Sequence, residues 1–409
     1  MSHEHLITSL LGIPGWSVTH IQEEGGAVIV VIDRIPGRGY WCGRCGDGLL
    51  FCYDHEPSRR VRDFPVWGRP CYLEFAPARV ACPRCGVVVE ALDWIGPHQR
   101  QTLRYEKYVV HLCDILPVLD VAELEGLDKG TVYRVDRQWL ERREVARPPI
   151  RVRYLGIDEI AIRKGQRYAT VFYDLETKEV LALVPTRKQR RVSGFFRRLG
   201  KAVCRRIEAV CMDLWKPYLA SVRLHCPKAT VVFDKFHVYT YLSQAVDEVR
   251  RIEQRKAEEE GKALIKGARW LLLRRTLKRP QRHALAELLA LNVPLQKAHL
   301  LKEEFEGFYG ATNRDDAQAF LEDWTARCEE SALAPFRKLV KRLRKHQEGI
   351  LAYFTYRLTN AFAEGINNKI KVIKRRSYGF HDLRYFFLKI LAVTGALPST
   401  EALTHSFAE

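Results

Sequence analysis

The spacing of apolar residues divides the chain into stretches of different period. Up to about Ile95 the pattern is short and alternating. "GGAVIVVIDR" (Gly25–Arg34) is β-branched and reads as a strand, and "RRVRDFPVWGRPCYLEFAPARV" reads as further strands. From Gln101 to Arg143 the period becomes helical. Tyr105, Val109, Leu112 and Leu116 make one apolar stripe. A short helix then meets a turn at Gly126, and a second helix opens near Asp128. Pro148 and Pro149 read as a linker.

Beyond the linker, strands and helices alternate. Strands are expected at Tyr154–Ile162, Tyr168–Asp174, Glu179–Pro185, Ala209–Met212 and Thr230–Phe233, with helices at Val192–Val203 and Pro217–His225. Three consecutive strands followed by helix–strand–helix–strand predict an α/β region with a mixed sheet. From Ser243 to about Tyr356 the pattern is almost wholly helical, as an insertion would be. Two more helices are expected around a turn at Ser377–Phe380.

Length and charge narrow the class. A chain of 409 residues exceeds one compact core, so several domains are expected. Net charge is +18, from 67 Lys and Arg against 49 Asp and Glu, which points to a polyanionic partner. No run of eighteen apolar residues occurs, so no membrane span is expected. The first residues lack a basic n-region and a small-residue cleavage site, so a cytoplasmic protein is expected.

Eleven cysteines include two CxxC pairs, Cys42/Cys45 and Cys82/Cys85. Such knuckles bring two thiolates to one ion, and two of them supply the four ligands of structural Zn²⁺. Gly46 and Gly86 follow the pairs directly, which suits the left-handed turn that closes a knuckle. Cys52, His55 and Cys71 stand outside any knuckle. "DVAELEGLDKGTVYRVDRQWL" has the punctuation of a helix-turn-helix: a small Ala122, Gly126 at the turn and Leu127 as a plug. Thr131, Tyr133, Arg134, Arg137 and Gln138 then fall on the helix that would read DNA. An ordinary helical hairpin has similar punctuation.

Four acids carry the chemical interest. Asp158, Asp213 and Asp234 end or nearly end predicted strands, and His237 lies three residues after Asp234. Glu364 shares a helix face with Asn367 or Asn368 and Lys371, and a basic strip continues through Lys374, Arg375 and Arg376. Carboxylates at adjacent strand ends, joined by one from a helix, form a cage for Mg²⁺ or Mn²⁺ in phosphoryl transfer. Asn367, Asn368, Lys371, Lys374 and Arg375 are candidates to contact the DNA held beside it. Taken singly, each acid reads equally as a turn or cap residue.

In this order, the zinc pairs, the helix-turn-helix, "GIDEIAIRKGQRYATVFYDLETKEVLALV", "MDLWKPYLASV", "FDKFHV", "KGARWLLL" and "NAFAEGINNKIKVIKRRSYGF" resemble the insertion-sequence transposases of the ISL-three family. The resemblance runs over nearly the whole chain. It implies a DDE transposase whose ribonuclease-H-like core is interrupted by an α-helical insertion. Such enzymes bind the terminal inverted repeats of their element, cut there with divalent metal and join the freed hydroxyl to target DNA. Synapsis of two ends implies a dimer or larger assembly on double-stranded DNA. The implied cage is Asp158, a second Asp and Glu364. In that fold the second Asp follows the fourth strand, and the strand count puts Asp213 there. Asp234 and His237 would then form a supporting D-x-x-H pair, with Glu159 on the opposite strand face.

The implied organisation is a zinc-binding segment at 1–98, a helix-turn-helix at 99–148, the core at 149–242 and 356–409, and the insertion at 243–355. Two alternatives remain at this stage. A regulator without catalysis would use the zinc pairs, the helix-turn-helix and the charge, and would leave the strand-end acids idle. A structure-selective nuclease of the same fold would cut without joining.

Overall fold

A computed structural model describes residues 3–403, apart from 49, 97, 164–166, 275 and 378. The expected turn at Ser377–Phe380 includes Tyr378, which lies outside the described residues. The chain forms two compact units, one of Met1–Arg147, Lys374–Val393 and Leu397–Glu409, the other of Pro148–Ile373 and Thr394–Ala396.

The first unit opens with α1 (His3–Leu11), β1 (Trp16–Glu24), β2 (Ala27–Arg34), β3 (Cys52–His55), β4 (Arg59–Val66), β5 (Arg69–Phe75), β6 (Ala78–Cys82) and β7 (Gly86–Val89). These strands make a four-stranded sheet, β1-β2-β5-β4, and a three-stranded one, β3-β6-β7. The larger sheet is closed by Trp16, Phe75 and Trp94, whose rings meet edge-on at 4.8–5.5 Å. Then come α2 (Leu103–Ile115), α3 (Val118–Glu125) and α4 (Lys129–Val145). Thr102 caps α2 and also donates to buried Asp63 of β4 at 2.7 Å, tying helix to sheet. Of the expected stripe, Tyr105 and Val109 are buried in the core that these helices share, and Leu112 and Leu116 pack against it.

In the second unit β8 (Tyr154–Arg163), β9 (Arg167–Asp174) and β10 (Val180–Val184) form an antiparallel meander. After α5 (Gln189–Leu199) and α6 (Lys201–Cys204), β11 (Ala209–Met212) pairs parallel with β8. After α7 (Lys216–His225), β12 (Thr230–Phe233) pairs parallel with β11. The sheet order is β10-β9-β8-β11-β12, so it is mixed as expected. Residues of β11 are buried throughout, because helices cover both faces of a central parallel strand.

The predicted helical insertion is present as α8 (Lys235–Lys256), α9 (Glu259–Gly267), α10 (Arg269–Leu273), α11 (Arg279–Leu291), α12 (Val293–Phe305), α13 (Arg314–Glu330) and α14 (Ala334–Lys345). Phe305, Phe308, Trp324 and Phe336 fill its centre. Then α15 (Gln347–Tyr356) returns to the sheet at β12. A Cβ at Gly349 would stand 2.6 Å from the Phe233 ring, so only glycine permits this approach. The last helices are α16 (Ala361–Arg376) and α17 (Leu383–Val393).

One boundary differs from the sequence reading. Residues 356–409 were expected to complete the α/β core, yet the chain from Lys374 onward, except 394–396, clusters with the N-terminal unit. Buried polar contacts between α17 and α4, described below, are the reason. No helix among the described residues is long and apolar enough to cross a membrane.

Candidate active site and DNA-binding elements

Parallel register brings three acids together. Ile157 of β8 pairs with Met212 of β11, and Met212 pairs with Phe233 of β12. The next residue on each chain is an acid, so Asp158, Asp213 and Asp234 fall side by side across the sheet. The expected strand over Tyr154–Ile162 is present as β8, and Asp158 stands within it and not at its end. β8 runs on to Arg163, and Asp158 lies just past its last parallel partner.

The three carboxylates hold different partners. Asp234 is buried and caps α8, accepting from Phe236 N at 3.1 Å and Asn360 N at 3.2 Å. Asp158 accepts from the N–H of Glu159 at 2.8 Å and from Asn367 Nδ2 at 3.0 Å. Asp213 Oδ1 lies 2.5 Å from His237 Nδ1. Burial raises the proton affinity of Asp158 against the pull of its two donors, and the charge of Asp213 adds to the rise. Burial likewise raises Asp234. Burial would lower His237, but Asp213 first, then Asp234 and Asp158, outweigh it and leave it raised. Burial, more than missing countercharge, sets both carboxyl shifts, and adjacent carboxylates are the oxygen donors a divalent cation takes.

Glu159 faces the other way, as strand alternation requires. It accepts from Arg187 and from Tyr218 OH, each at 3.3 Å. Glu364 is exposed on the first turn of α16, one turn before Asn367. That helix is anchored by buried Asn360, which donates through Nδ2 to Ile157 O at 3.0 Å. Tyr173 OH donates to Asn367 Oδ1 at 3.3 Å, which orients the amide so that its Nδ2 meets Asp158. Glu364 itself is not drawn into ligand distance of the aspartates. Among the described residues, the one group of three or more such ligands gathered closely enough for an ion is Cys42, Cys45, Cys82 and Cys85.

Those four sulfurs all lie within 4.8 Å of one another. Cys42 Sγ accepts from the N–H groups of Arg44 and Cys45 at 3.4 and 3.5 Å. The Cys45 N–H foremost, with that of Arg44, lowers the Cys42 thiol to about 6 against burial. Gly46 and Gly86 have φ of 73° and 74°, the left-handed turn expected of each knuckle. The stretch between the pairs carries β3, β4, β5 and most of β6. Cys52 Sγ donates to Asp54 O at 3.3 Å and lies 3.9 Å from the His55 ring nitrogens, and Cys71 is buried in the core of the larger sheet.

In the helix-turn-helix, Gly126 ends α3 with φ 61°, and Asp128 caps α4 through Gly130 N and Thr131 N. Ala122 is buried and Leu127 packs against the shared core. Of the residues expected to read DNA, Arg134 is exposed and Thr131 and Gln138 are half-buried. Tyr133 and Arg137 are held by Asp382, just before α17.

A family model described as "Transposase" matches residues 155–390, and a second, "Helix-turn-helix domain of transposase family ISL3", matches residues 90–140. A curated transposase for insertion sequence element IS1001 from Bordetella parapertussis is 34% identical over 402 residues, covering 96% of this chain and 98% of its own. This chain belongs to the ISL3 transposase family. A transposase for insertion sequence element IS1557 from Mycobacterium tuberculosis is 26% identical, covering 98% of this chain and 97% of its own. The transposase match spans all four acids, and the helix-turn-helix match spans α2, α3 and most of α4.

Several residues of this transposase that organise the acids escaped sequence reasoning. Asn367 read as a DNA contact, yet it binds Asp158. Asn360 and Tyr173 carried no signal beyond their types. Asn368 and Lys371 are exposed and bond each other at 3.3 Å. Arg375 is exposed and Lys374 half-buried on the same helix.

Proposed function

We propose that this ISL3-family transposase binds the terminal inverted repeats of its element and catalyses metal-dependent DNA cleavage and strand transfer from a ribonuclease-H-like core. The strand order β10-β9-β8-β11-β12, three antiparallel strands followed by two parallel ones, supports that core. The carrying observation is the register that sets Asp158 beside Asp213, with His237 against the latter. Asp158 and Asp213 would hold a divalent cation, and Glu364, exposed on the first turn of α16, would have to close on them to complete the set. The cation, when bound, activates the attacking oxygen and stabilises the leaving one.

The protein's own groups prepare that site. Asn367 fixes the Asp158 carboxylate, and Tyr173 fixes Asn367. His237 keeps a proton more readily than a free imidazole, because the Asp213 carboxylate lies beside its Nδ1. Asp234 spends its oxygens on the α8 cap and on Asn360, which suits a supporting role. Lys371, Lys374 and Arg375 supply positive charge for the DNA backbone. The four cysteines would hold structural Zn²⁺, whose tetrahedral thiolate preference fits their clustering.

The test is cleavage and joining of labelled element-end duplexes with Mg²⁺ or Mn²⁺. Asp213→Asn and Glu364→Gln are expected to abolish both steps, while Asp234→Asn only weakens them. An inert Asp234→Asn beside an active Asp213→Asn would move the second ligand to Asp234.

A further inference from the structure

α4 is not completed by the helix-turn-helix alone. Asp382, some 245 positions away in sequence, reaches it with one carboxylate oxygen: Oδ2 accepts from Arg137 Nη1 and from Tyr133 OH, each at 2.9 Å. Its other oxygen, Oδ1, caps α17 by accepting from Arg384 N at 2.8 Å and Tyr385 N at 3.1 Å. The Tyr133 ring meets Tyr385 edge-on at 4.7 Å, so Tyr133 is gripped at both ends. Arg137 is further held by Glu141 Oε1 at 3.0 Å.

We infer that Asp382 is a positioning residue for DNA-end recognition: it presets Arg137 and Tyr133 on α4 so that Arg137 meets a base edge in one orientation. The inference rests on the reading that α4 binds the element ends. The helical wheel supports it. Counting 100° per residue, Gly130, Arg134, Arg137 and Gln138 fall within one sector, and Asp382 approaches from the Arg137 side. Arg137 remains partly exposed, at 39% of its side chain, so the pair does not remove it from solvent. A guanidinium with two free rotors loses entropy when it docks, whereas one already held by two carboxylates has little left to lose. Discrimination between sequences then follows from a fixed fork, because a wrong base meets donors that cannot swing away.

The division of labour between the two oxygens provides the test. Asp382→Asn leaves an oxygen to cap α17 but places an amide NH₂ against Arg137 and Tyr133. The full-length chain is titrated by fluorescence anisotropy against duplexes carrying the element's terminal sequence and against shuffled duplexes, at one salt concentration. Asp382→Asn is expected to lower the specific-to-shuffled affinity ratio about tenfold, the scale of one base contact. Affinity for the shuffled duplex stays level or rises, since a negative charge is lost. Arg137→Ala gives the same loss, and the double variant loses no more than either single one. An unchanged ratio, additive losses, or tighter specific binding by Asp382→Asn would overturn the inference, the last meaning that Asp382 shields α4 from DNA. An unmodified chain that fails to discriminate would overturn the reading of end binding and this inference with it.

Discussion

Lys389 on α17 is expected to be the strongest single tie between the C-terminal helix and α4. Its Nζ lies 3.3 Å from Asp136 Oδ2 and 3.6 Å from Asp114 Oδ1, and donates to Cys113 O. Asp136 is fully buried and also accepts from Tyr385 OH. Lys389→Met keeps the aliphatic stem and removes the charge. At 3.3 Å the attraction is about 5 kcal/mol for an effective dielectric near 20, and breaking such buried pairs costs about 3–5 kcal/mol. Asp136 can escape by taking a proton, which sets a ceiling. From a free carboxyl near 3.9, protonation costs about 4 kcal/mol at pH 7 and about 1.5 kcal/mol at pH 5.

The sign follows from the direction of the shift. Burial already raises Asp136, and losing Lys389 raises it further. A carboxyl raised in the folded state contributes stability below its unfolded value and loses it as pH rises. The variant should therefore lose about 3–4 kcal/mol at pH 7 and no more than about 1.5 kcal/mol at pH 5. Hydrogen exchange of α4 peptides in the full chain, referenced to unfolded rates at each pH, reads this directly. Asp136→Leu combined with Lys389→Met should recover most of the loss, since apolar replacement of a buried pair is nearly neutral. A loss below about 1 kcal/mol at pH 7, or one equal at both pH values, would refute the reasoning.

Three further outcomes are expected. Cys82→Ser, or chelation of the unmodified chain, should reduce bound zinc from one per chain to none and speed exchange in β6 and β7 while β8 and β11 stay protected; metal content and exchange mass spectrometry check this, and full protection in β6 without zinc would count against a structural ion. Asn367→Ala should raise the half-saturating Mn²⁺ concentration for cleavage at least about tenfold, as loss of an outer-sphere partner does, with end binding unchanged; an unaltered Mn²⁺ curve would return Asn367 to the DNA-contact role. Because Asp158 is raised and must shed its proton to bind a cation, Mn²⁺ affinity measured by electron paramagnetic resonance should climb with pH above the ordinary carboxylate range and fall below it; a flat profile would exclude Asp158 as a ligand.

Local chemistry determined much of this transposase from sequence alone. Alternation marked β2, and the 3.6-residue period marked α2. Gly46, Gly86 and Gly126 announced left-handed turns, because a side chain there is strained, and all three have positive φ. Strand counting placed Asp213 after the fourth strand of the α/β sheet and Asp234 after the fifth, since order along the chain is a one-dimensional property. Tertiary structure decided what those signals could not carry. An apolar period states which face is buried, but it does not name the partner of a polar side chain on the other face. Asn367 therefore passed for a DNA contact until packing of α16 brought it to Asp158, 209 positions away. The last helix read as part of the α/β core because its apolar stripe suits any core. Only the buried pairing of Lys389 with Asp136, joined by the half-exposed pair of Asp382 with Arg137, assigns it to α4, since a buried charge tolerates few partners and apolar surface tolerates many.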